Sequence, residues 1–495
     1  MGVLAAIVLA AAAVRFAGLD AQSLWFDEVA TLGVLRDDLP GTLGALRSSE
    51  STPPLYYVLA WAWTSVLGDG AAALRALSAL LGTAAVALVG LAARRLAGDR
   101  AGWAAAALAA VSPVLWWYSQ EARAYALMVA LAAASVLALA VLLRAPSRRW
   151  WVAWAACGVL LVLTHYFGAF LVLAEALVLG RAALAWAVPA GLTGIALLPL
   201  ATGQEDGRTA WIGGSPLGPR VEDVAVMLAT ASTRLVSSNS AAPGGAWWVL
   251  GLAGCAGVAA LLVRQGRAAR PLLLVAGAGL LVPLALALTP LDFFKDRNLL
   301  YAWPPLLVAA GVALRRGRAA VAALAALVVA QGAVLAAVAG DEALQRTDWR
   351  SAARALGPPA APRAVVVQPG YEVSVLRHYG RRVVVAQTPV RVSELVVIGP
   401  QAQPPPGARV RRRGGVTTAV VRLPAPVVVR APTAVELDAR SAAAVRARAA
   451  LLVRWARGQG RARAGEDLRA LGPAPDTLPA LDADMRDAAR LVEGG

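Results

Sequence analysis

The sequence has very little histidine, cysteine or lysine. It contains two histidines and two cysteines in 495 residues, and Lys295 is its only lysine. Cys157 and Cys255 each lie in an apolar run, where a thiol behaves as a small hydrophobic group, so no disulfide framework is predicted. His165 and His378 stand apart from each other and from the cysteines. A structural zinc centre is therefore not expected.

Acidic residues are also few, at 30 against 47 basic ones, which gives a formal net charge of +17. Such an excess can indicate a nucleic-acid partner. Here the arginines stand in short clusters between apolar runs and in the C-terminal third. This placement is typical of membrane topology, so no nucleic-acid partner is predicted.

Long apolar runs dominate the sequence. Apolar residues make up 59% of the chain and its mean hydropathy is +0.61. The predicted fold is a polytopic α-helical membrane protein in a lipid bilayer, with a transmembrane domain over residues 1–340. About eleven spans are predicted, at 3–19, 73–93, 101–118, 125–143, 151–164, 167–181, 183–200, 246–263, 271–289, 299–314 and 319–340.

The arginine clusters set the predicted orientation. With a cytoplasmic N-terminus, every basic loop falls inside the cell, as the positive-inside rule requires. Those loops contain Arg94/Arg95/Arg100, Arg144/Arg148/Arg149, Arg181, Arg264/Arg267/Arg270 and Arg315/Arg316/Arg318. We therefore expect a multi-pass protein of the plasma or inner membrane whose outer loops are extracytoplasmic.

Two outer loops are longer than ordinary connectors. In the first, the aromatic segment 55–67 is interpreted as a juxtamembrane helix, because counting it as a span would put the arginine loops outside. The second loop, 201–245, contains an amphipathic stretch over 221–236 that suits a membrane surface.

The composition changes after about residue 340. Short β-branched runs at 364–367, 382–386, 394–398 and 418–422 alternate with helical segments at 348–356 and 372–379. This alternation predicts a small extracytoplasmic α/β domain over 341–430. The Ala/Arg/Asp-rich tail, 431–495, is predicted to be helical or partly disordered.

Carboxylates recur at the outer ends of the spans. Asp27 and Glu28 follow the first span, and Glu121 precedes the fourth, with Arg123 and Tyr125 close to it. Acidic groups beside lipid are costly and usually functional, so this pattern predicts a polar site on the outer face.

These segments resemble a known family. The chain is similar to GT-C-fold glycosyltransferases of the protein-mannosyltransferase and aminoarabinose-transferase type, which form glycosyltransferase family 39 and its bacterial relatives. The resemblance covers roughly residues 1–340, and the Ser-Gln-Glu-Ala-Arg string is its most specific match. It is carried by residues 25–28, 53–57, 118–125, 164–167 and 296–300.

The resemblance implies transfer of a sugar from a polyprenyl-phosphate donor to an acceptor hydroxyl on protein, lipid or glycan. An acceptor hydroxyl needs a base, and Asp27 is the candidate; its other interpretation is a solvated helix cap. Glu28 orients Asp27 or binds the acceptor. Glu121 supports the base or binds the acceptor while Arg123 fixes its position, unless the two form only a local ion pair.

Lys295 and Arg297 are predicted to stabilise the departing lipid phosphate, the alternative being interfacial snorkelling. His165 is either a substrate-binding residue or a helix cap. Tyr125 and Tyr56 are predicted to bind substrate, and Tyr125 is expected at the same cavity as Glu121 and Arg123. No cofactor is required by the sequence, and a divalent cation held by Asp27 or Glu121 stays open.

Other classes of membrane protein are alternatives to this interpretation. A flippase or transporter of lipid-linked sugars would carry charged or broken spans near the midplane. An oligosaccharide polymerase or ligase would use similar outer-loop charges. The two acidic motifs favour a single-sugar transferase, whose sugar, whether mannose, arabinose, galactose or another, is left open.

Overall fold

The computed structural model describes residues 2–35, 38–204, 209–230, 246–359, 362–380, 383–386, 390–429 and 433–436. The chain divides into two compact units. The helical unit contains residues up to Gln22 and Ala30–Gln345. The second unit contains Ser23–Val29 together with the chain from Arg346 onward.

Helices coincide with all eleven predicted spans. Within the described residues, five helical segments are long and apolar enough to cross a bilayer, and a bent pair adds a sixth. Shorter apolar helices include Gly2–Phe16 and Gly168–Leu179. The polytopic helical fold is confirmed. The helices are Gly2–Phe16, Phe26–Val34, Leu39–Ser49, Leu55–Leu67, Ala71–Ala97, Asp99–Val111, Pro113–Ser119, Tyr125–Leu142, Arg148–Thr164, Gly168–Leu179, Ala182–Ala196, Leu198–Gly203, Ala210–Gly213, Leu217–Thr230, Ala246–Gln265, Arg270–Leu286, Trp303–Ala313, Arg318–Gly340, Trp349–Ala355 and Val373–His378.

The predicted third span is sharply bent. Asp99–Val111 and Pro113–Ser119 meet at 62°, because Pro113 has no N–H with which to bond the carbonyl of Ala109. The Arg15 guanidinium, fully buried, donates instead to the carbonyls of Ala109 at 2.9 Å and Ala110 at 3.1 Å. One side chain thus satisfies the backbone groups that the bend exposes.

Glycine allows close packing beside the Ser-Gln-Glu-Ala-Arg string. A Cβ on Gly82 would lie 2.0 Å from Oγ of Ser119, far inside van der Waals contact. Gly82 in the helix Ala71–Ala97 therefore makes room for the start of this motif.

The second unit is a six-stranded mixed sheet with short helices. The strands are β1 (Arg363–Val367), β2 (Val383–Ala386), β3 (Val390–Gly399), β4 (Arg409–Arg413), β5 (Val416–Val429) and β6 (Thr433–Glu436). Their order is β2-β6-β1-β3-β5-β4, with β1 and β3 parallel and the other pairs antiparallel. Trp349, Val375, Leu376 and Ile398 form part of its core. The predicted small α/β domain is confirmed.

Two strands were not predicted. In β4 four of five residues are arginines and all are exposed, so the strand lacks the apolar alternation that identifies a half-buried strand. Strand β6 pairs with β1 and β2 and lies inside the tail predicted to be helical or disordered, so the sheet extends beyond residue 430. Residues 437–495 lie outside the described residues.

The amphipathic stretch predicted over 221–236 corresponds to the helix Leu217–Thr230. Residues 231–236 lie outside the described part of the chain. The segment 55–67 is helical, as predicted.

Replacement of Arg15 by Leu should destabilise the protein by roughly 2 kcal/mol, because two buried carbonyls lose their donor. Adding Pro113→Ala should recover part of the loss, since the new N–H can bond Ala109. The midpoint of thermal unfolding in detergent measures both changes. An Arg15→Leu variant as stable as the wild type would contradict this account of the bend.

Candidate functional site

A cavity of about 230 Å³ opens in the helical unit. Four of the predicted site residues lie on its wall, namely Arg123, Tyr125, His165 and Arg297. The remaining lining residues are Ser51, Thr52, Tyr166, Phe167, Ala201, Gln204, Thr209, Trp211, Ile212, Phe293 and Asn298. Segments that are far apart in sequence thus form one polar cavity.

Arg123 is held by a carboxylate that sequence reasoning did not identify. Its Nη1 donates to Oε1 of Glu50 at 2.6 Å and to Oγ1 of Thr31 at 3.3 Å. The Thr31 hydroxyl donates in turn to the carbonyl of Ala122 at 3.1 Å. Both ends of the Arg123–Glu50 pair are buried. The guanidinium therefore has a fixed direction at the cavity wall.

His165 lies directly after the helix Arg148–Thr164 and is buried. Its Nδ1 accepts the N–H of Phe167 at 3.2 Å, so it caps the turn, and it also lines the cavity. Burial, followed by the charges of Arg297 and Arg123, lowers the pKa of His165 to about 3. The imidazole is therefore neutral at physiological pH. The cap and the cavity-lining interpretations both hold.

Aromatic rings border the basic groups. The Arg297 guanidinium lies 5.6 Å from the ring centroid of Trp211, a cation–π distance. Tyr125 contacts the ring of Tyr118, with centroids 4.9 Å apart. Asn298 donates to the carbonyl of Phe293 at 3.0 Å, which shapes the loop that presents Arg297.

Lys295 does not line this cavity. Its Nζ is 3.0 Å from Asp223 and 3.5 Å from Asp296, and these two carboxylates offset its charge. Its predicted partner in phosphate binding, Arg297, is on the cavity wall, whereas Lys295 ties the loop to the helix Leu217–Thr230.

The same helix makes a second tie to this loop. Arg220 donates from both terminal nitrogens to Asp292, at 2.7 and 2.6 Å, and to the carbonyl of Phe294 at 2.9 Å. These bonds hold the pKa of Asp292 below its ordinary value. Arg220 and Asp223 are three residues apart and so share a helix face. That face fixes the segment before Arg297.

Tyr56 packs inside an apolar cluster with Val34, Leu46 and Leu77, so its position suits packing rather than the predicted substrate contact. The next residue, Tyr57, has its hydroxyl 3.1 Å from that of Thr52 and lies within electrostatic range of Glu50 and Arg123. Of this tyrosine pair, Tyr57 is the one beside the polar network.

Glu121 is buried, with 1% of its surface exposed, and lies outside the cavity lining. The backbone around it is held from two sides. The preceding Gln120 donates to the carbonyls of Arg15 and Ala17, at 3.1 and 2.7 Å, and Arg123 binds Glu50. Arg123 is thus anchored by Glu50, and its predicted role in fixing the position of Glu121 stays a prediction.

Asp27 and Glu28 belong to the second unit. They occupy the first turn of the helix Phe26–Val34. Asp27 is half-buried and Glu28 is fully buried. The amides of Glu28 and Val29 both donate to the carbonyl of Trp25, at 3.1 and 3.0 Å.

No group of three or more His, Cys, Asp or Glu side chains is placed to hold a metal ion in the ranges that the structure describes. A divalent cation at Asp27 or Glu121 stays a prediction.

Sequence reasoning missed Glu50, Gln204 and Trp211. Gln204 accepts from the Tyr166 hydroxyl at 2.8 Å and donates to the carbonyls of Leu46 and Thr52, at 3.2 and 3.1 Å. These residues stand in long outer loops without a periodic pattern. The pairing of Arg123 with Glu50 is visible only in the three-dimensional structure, because the two residues are 73 positions apart in the sequence.

The family profile of dolichyl-phosphate-mannose-protein mannosyltransferases matches residues 51–201. This match confirms the predicted GT-C glycosyltransferase resemblance. The matched region contains Glu121, Arg123, Tyr125 and His165, and it begins after Asp27 and ends before Arg297.

The chain is also similar to two solved structures. ArnT from Cupriavidus metallidurans, bound to undecaprenyl phosphate, is 14% identical with a TM-score of 0.49, over 85% of this chain and 98% of ArnT. The Archaeoglobus fulgidus oligosaccharyltransferase, in complex with zinc and sulfate, is 16% identical with a TM-score of 0.43, over 71% of this chain and 54% of the archaeal one. Comparison with curated proteins finds no match.

Glu50→Ala should destabilise the protein by about 3–5 kcal/mol, because it leaves the Arg123 charge buried without its carboxylate. Glu50→Gln keeps an acceptor and should cost less. Asp99→Ala is the matched control, since the Arg94–Asp99 pair is exposed and such pairs contribute about 0–1 kcal/mol. Equal shifts in the thermal midpoint for Glu50→Ala and Asp99→Ala would refute the assignment.

Acidification should destabilise the protein through His165. The pKa of His165 is lowered on folding, so between about 3 and the ordinary 6.5 the unfolded state binds more protons. Stability is therefore retained above 6.5 and falls as the pH decreases, by about 2 kcal/mol at about pH 5. His165→Gln should flatten this dependence of the thermal midpoint. The exposed His378 provides the control, and His378→Gln should leave the slope unchanged.

Proposed function

We propose that the protein transfers a single sugar from a polyprenyl-phosphate carrier to an acceptor hydroxyl on the extracytoplasmic side of the membrane. The observation that carries the proposal is the cavity in which Arg123 and Arg297 both act electrostatically on His165. Two guanidinium groups around a neutral imidazole suit a phosphate ester. The family profile, whose name specifies a dolichyl-phosphate sugar donor, supports the same class of donor.

Arg297 is assigned to the phosphate of the donor. A planar guanidinium group can bind two phosphate oxygens at once through parallel hydrogen bonds. Trp211 packs against the Arg297 guanidinium. Arg123, whose position is fixed by Glu50, contributes a second positive charge from a distant part of the sequence. Lys295 is left out of the phosphate site because Asp223 and Asp296 offset its charge.

The proposed reaction needs one base and one site for the leaving group. Asp27 takes the proton of the acceptor hydroxyl, and the resulting oxygen attacks the anomeric carbon of the sugar. The bond from that carbon to the phosphate oxygen breaks as the new glycosidic bond forms. Negative charge develops on the departing polyprenyl phosphate, where Arg297 and Arg123 stabilise it. The direct displacement inverts the configuration, as the family resemblance implies.

The donor sugar, the acceptor, the membrane orientation and the roles of the two glutamates are proposed in general terms. The donor sugar is a hexose or a pentose, and the acceptor is a protein, lipid or glycan hydroxyl. The positive-inside rule supports a cytoplasmic N-terminus in the plasma or inner membrane, which would make the polar outer loops extracytoplasmic. Glu28 and Glu121 are proposed to support the base or the acceptor, since both are buried carboxylates in the segments that carry the family resemblance.

Asp27→Asn should abolish transfer while leaving donor binding within about twofold, because it removes a base but little volume. Arg297→Gln should instead weaken donor binding about tenfold or more, through loss of a charge-assisted contact. The assay uses purified protein in lipid nanodiscs with radiolabelled polyprenyl-phosphate sugars and cell-envelope acceptors.

The exposed Asp20 in the same loop supplies the matched control, and Asp20→Asn should keep full turnover. Near wild-type transfer by Asp27→Asn would remove Asp27 as the base. Donor translocation without any transfer would favour a flippase, and transfer of preassembled oligosaccharides would favour a polymerase or ligase.

A further inference from the structure

The segment Ser23–Val29, which carries Asp27, belongs to the second unit, together with the chain from Arg346 onward. We infer that the α/β unit positions Asp27, so that this domain serves the transfer reaction directly. The inference rests on the proposed function, in which Asp27 is the base.

Ser23 provides the first attachment. Its hydroxyl donates to the carbonyl of Thr347 at 2.8 Å and accepts the N–H of Trp349 at 3.0 Å. Only 2% of Ser23 is exposed. Two hydrogen bonds made away from water fix one side chain to two backbone positions at the start of the α/β unit.

Tyr379 provides the second attachment. Its hydroxyl accepts the N–H of Leu24 at 2.6 Å, and Leu24 is also buried, with 2% exposed. The ring of Tyr379 is itself approached by the Arg350 guanidinium at 6.0 Å. The backbone three residues before Asp27 is thereby tied to the end of the helix Val373–His378.

Apolar contacts complete the attachment on either side of Asp27. Phe26 meets the ring of Tyr371 edge to face, with centroids 4.9 Å apart. Phe26 and Val29 both pack against the core that contains Trp349 and Val375. Because Phe26 and Val29 on either side of Asp27 are anchored, the α/β core constrains the helical turn that carries Asp27.

A base that must approach a hydroxyl within hydrogen-bond reach is sensitive to small displacements. We therefore assign Ser23, Tyr371 and Tyr379 as positioning residues. None of them is required to touch substrate. Their loss should lower turnover without altering the affinity for a donor that binds elsewhere.

The test uses the full-length protein in nanodiscs and two readouts, steady-state transfer and amide hydrogen exchange of residues 24–29. Tyr379→Phe removes the acceptor for Leu24, and exchange in this segment should rise about tenfold. We expect kcat to fall about tenfold with the donor KM unchanged. Tyr371→Ala should act in the same direction, and its ring is 58% exposed, so folding is not at risk.

Two variants serve as controls. Tyr371→Phe keeps the ring that contacts Phe26 and should retain wild-type exchange and kcat. Ser374→Ala removes an exposed hydroxyl that bonds the carbonyl of Tyr371 in its own turn, and it should be silent in both assays.

The outcomes separate this inference from the proposed function. Unchanged exchange in Tyr379→Phe and Tyr371→Ala would overturn the attachment, whatever the chemistry of Asp27. Faster exchange with an unchanged kcat would show that the attachment does not position the base. If Asp27→Asn keeps full turnover, the proposed base fails, while the exchange data still establish or reject the attachment.

Discussion

The need to satisfy backbone carbonyls away from water governs the helical unit. Wherever a helix is interrupted, carbonyl groups lose their intrahelical donors, and in an apolar environment each costs free energy. Buried arginines meet this need. Arg15 binds the carbonyls at the bend before Pro113, and Arg75 binds those of Leu19 and Gln22, each at 2.8 Å.

The same residue type then builds the candidate site. A guanidinium offers five donors in a rigid plane, so one arginine can fix the backbone and still carry a positive charge. Arg220 holds the loop before Arg297 through Asp292 and the carbonyl of Phe294. The Arg297 charge at the cavity is thus presented by a loop that another arginine holds. The near absence of lysine fits this use, because an ammonium group lacks the planar array of donors.

The sequence was sufficient for much of the fold. Apolar runs placed the spans, because long hydrophobic segments have few alternatives in a chain of this composition. Short β-branched runs placed four of the six strands. Strand β4 was not predicted because its arginines obscure the apolar alternation. Strand β6 was not predicted because it lies in a tail whose overall composition favours helix or disorder.

The site was less accessible to sequence reasoning. Arg123, Tyr125, His165 and Arg297 were identified from their motifs and lie on one cavity. The partners of these residues were not identified, because an ion pair such as Arg123–Glu50 depends on which loops meet. Lys295 drew attention as the only lysine, yet its neighbours Asp223 and Asp296 decide its role. Rarity in the sequence says nothing about pairing in space.

The attachment of Ser23 to the α/β unit also has a consequence in time. The hydroxyl of Ser23 and its partner Thr347 are separated by 324 residues, and Leu24 and Tyr379 by 355. At ribosomal rates of about 5–20 residues per second, the acidic segment waits roughly 15–70 s before its packing partner has been made. The spans before residue 340 can enter the membrane during that interval, whereas the segment with Asp27 reaches its final structure only after the α/β unit folds. Folding of the α/β unit is thus the event that completes the structure around Asp27.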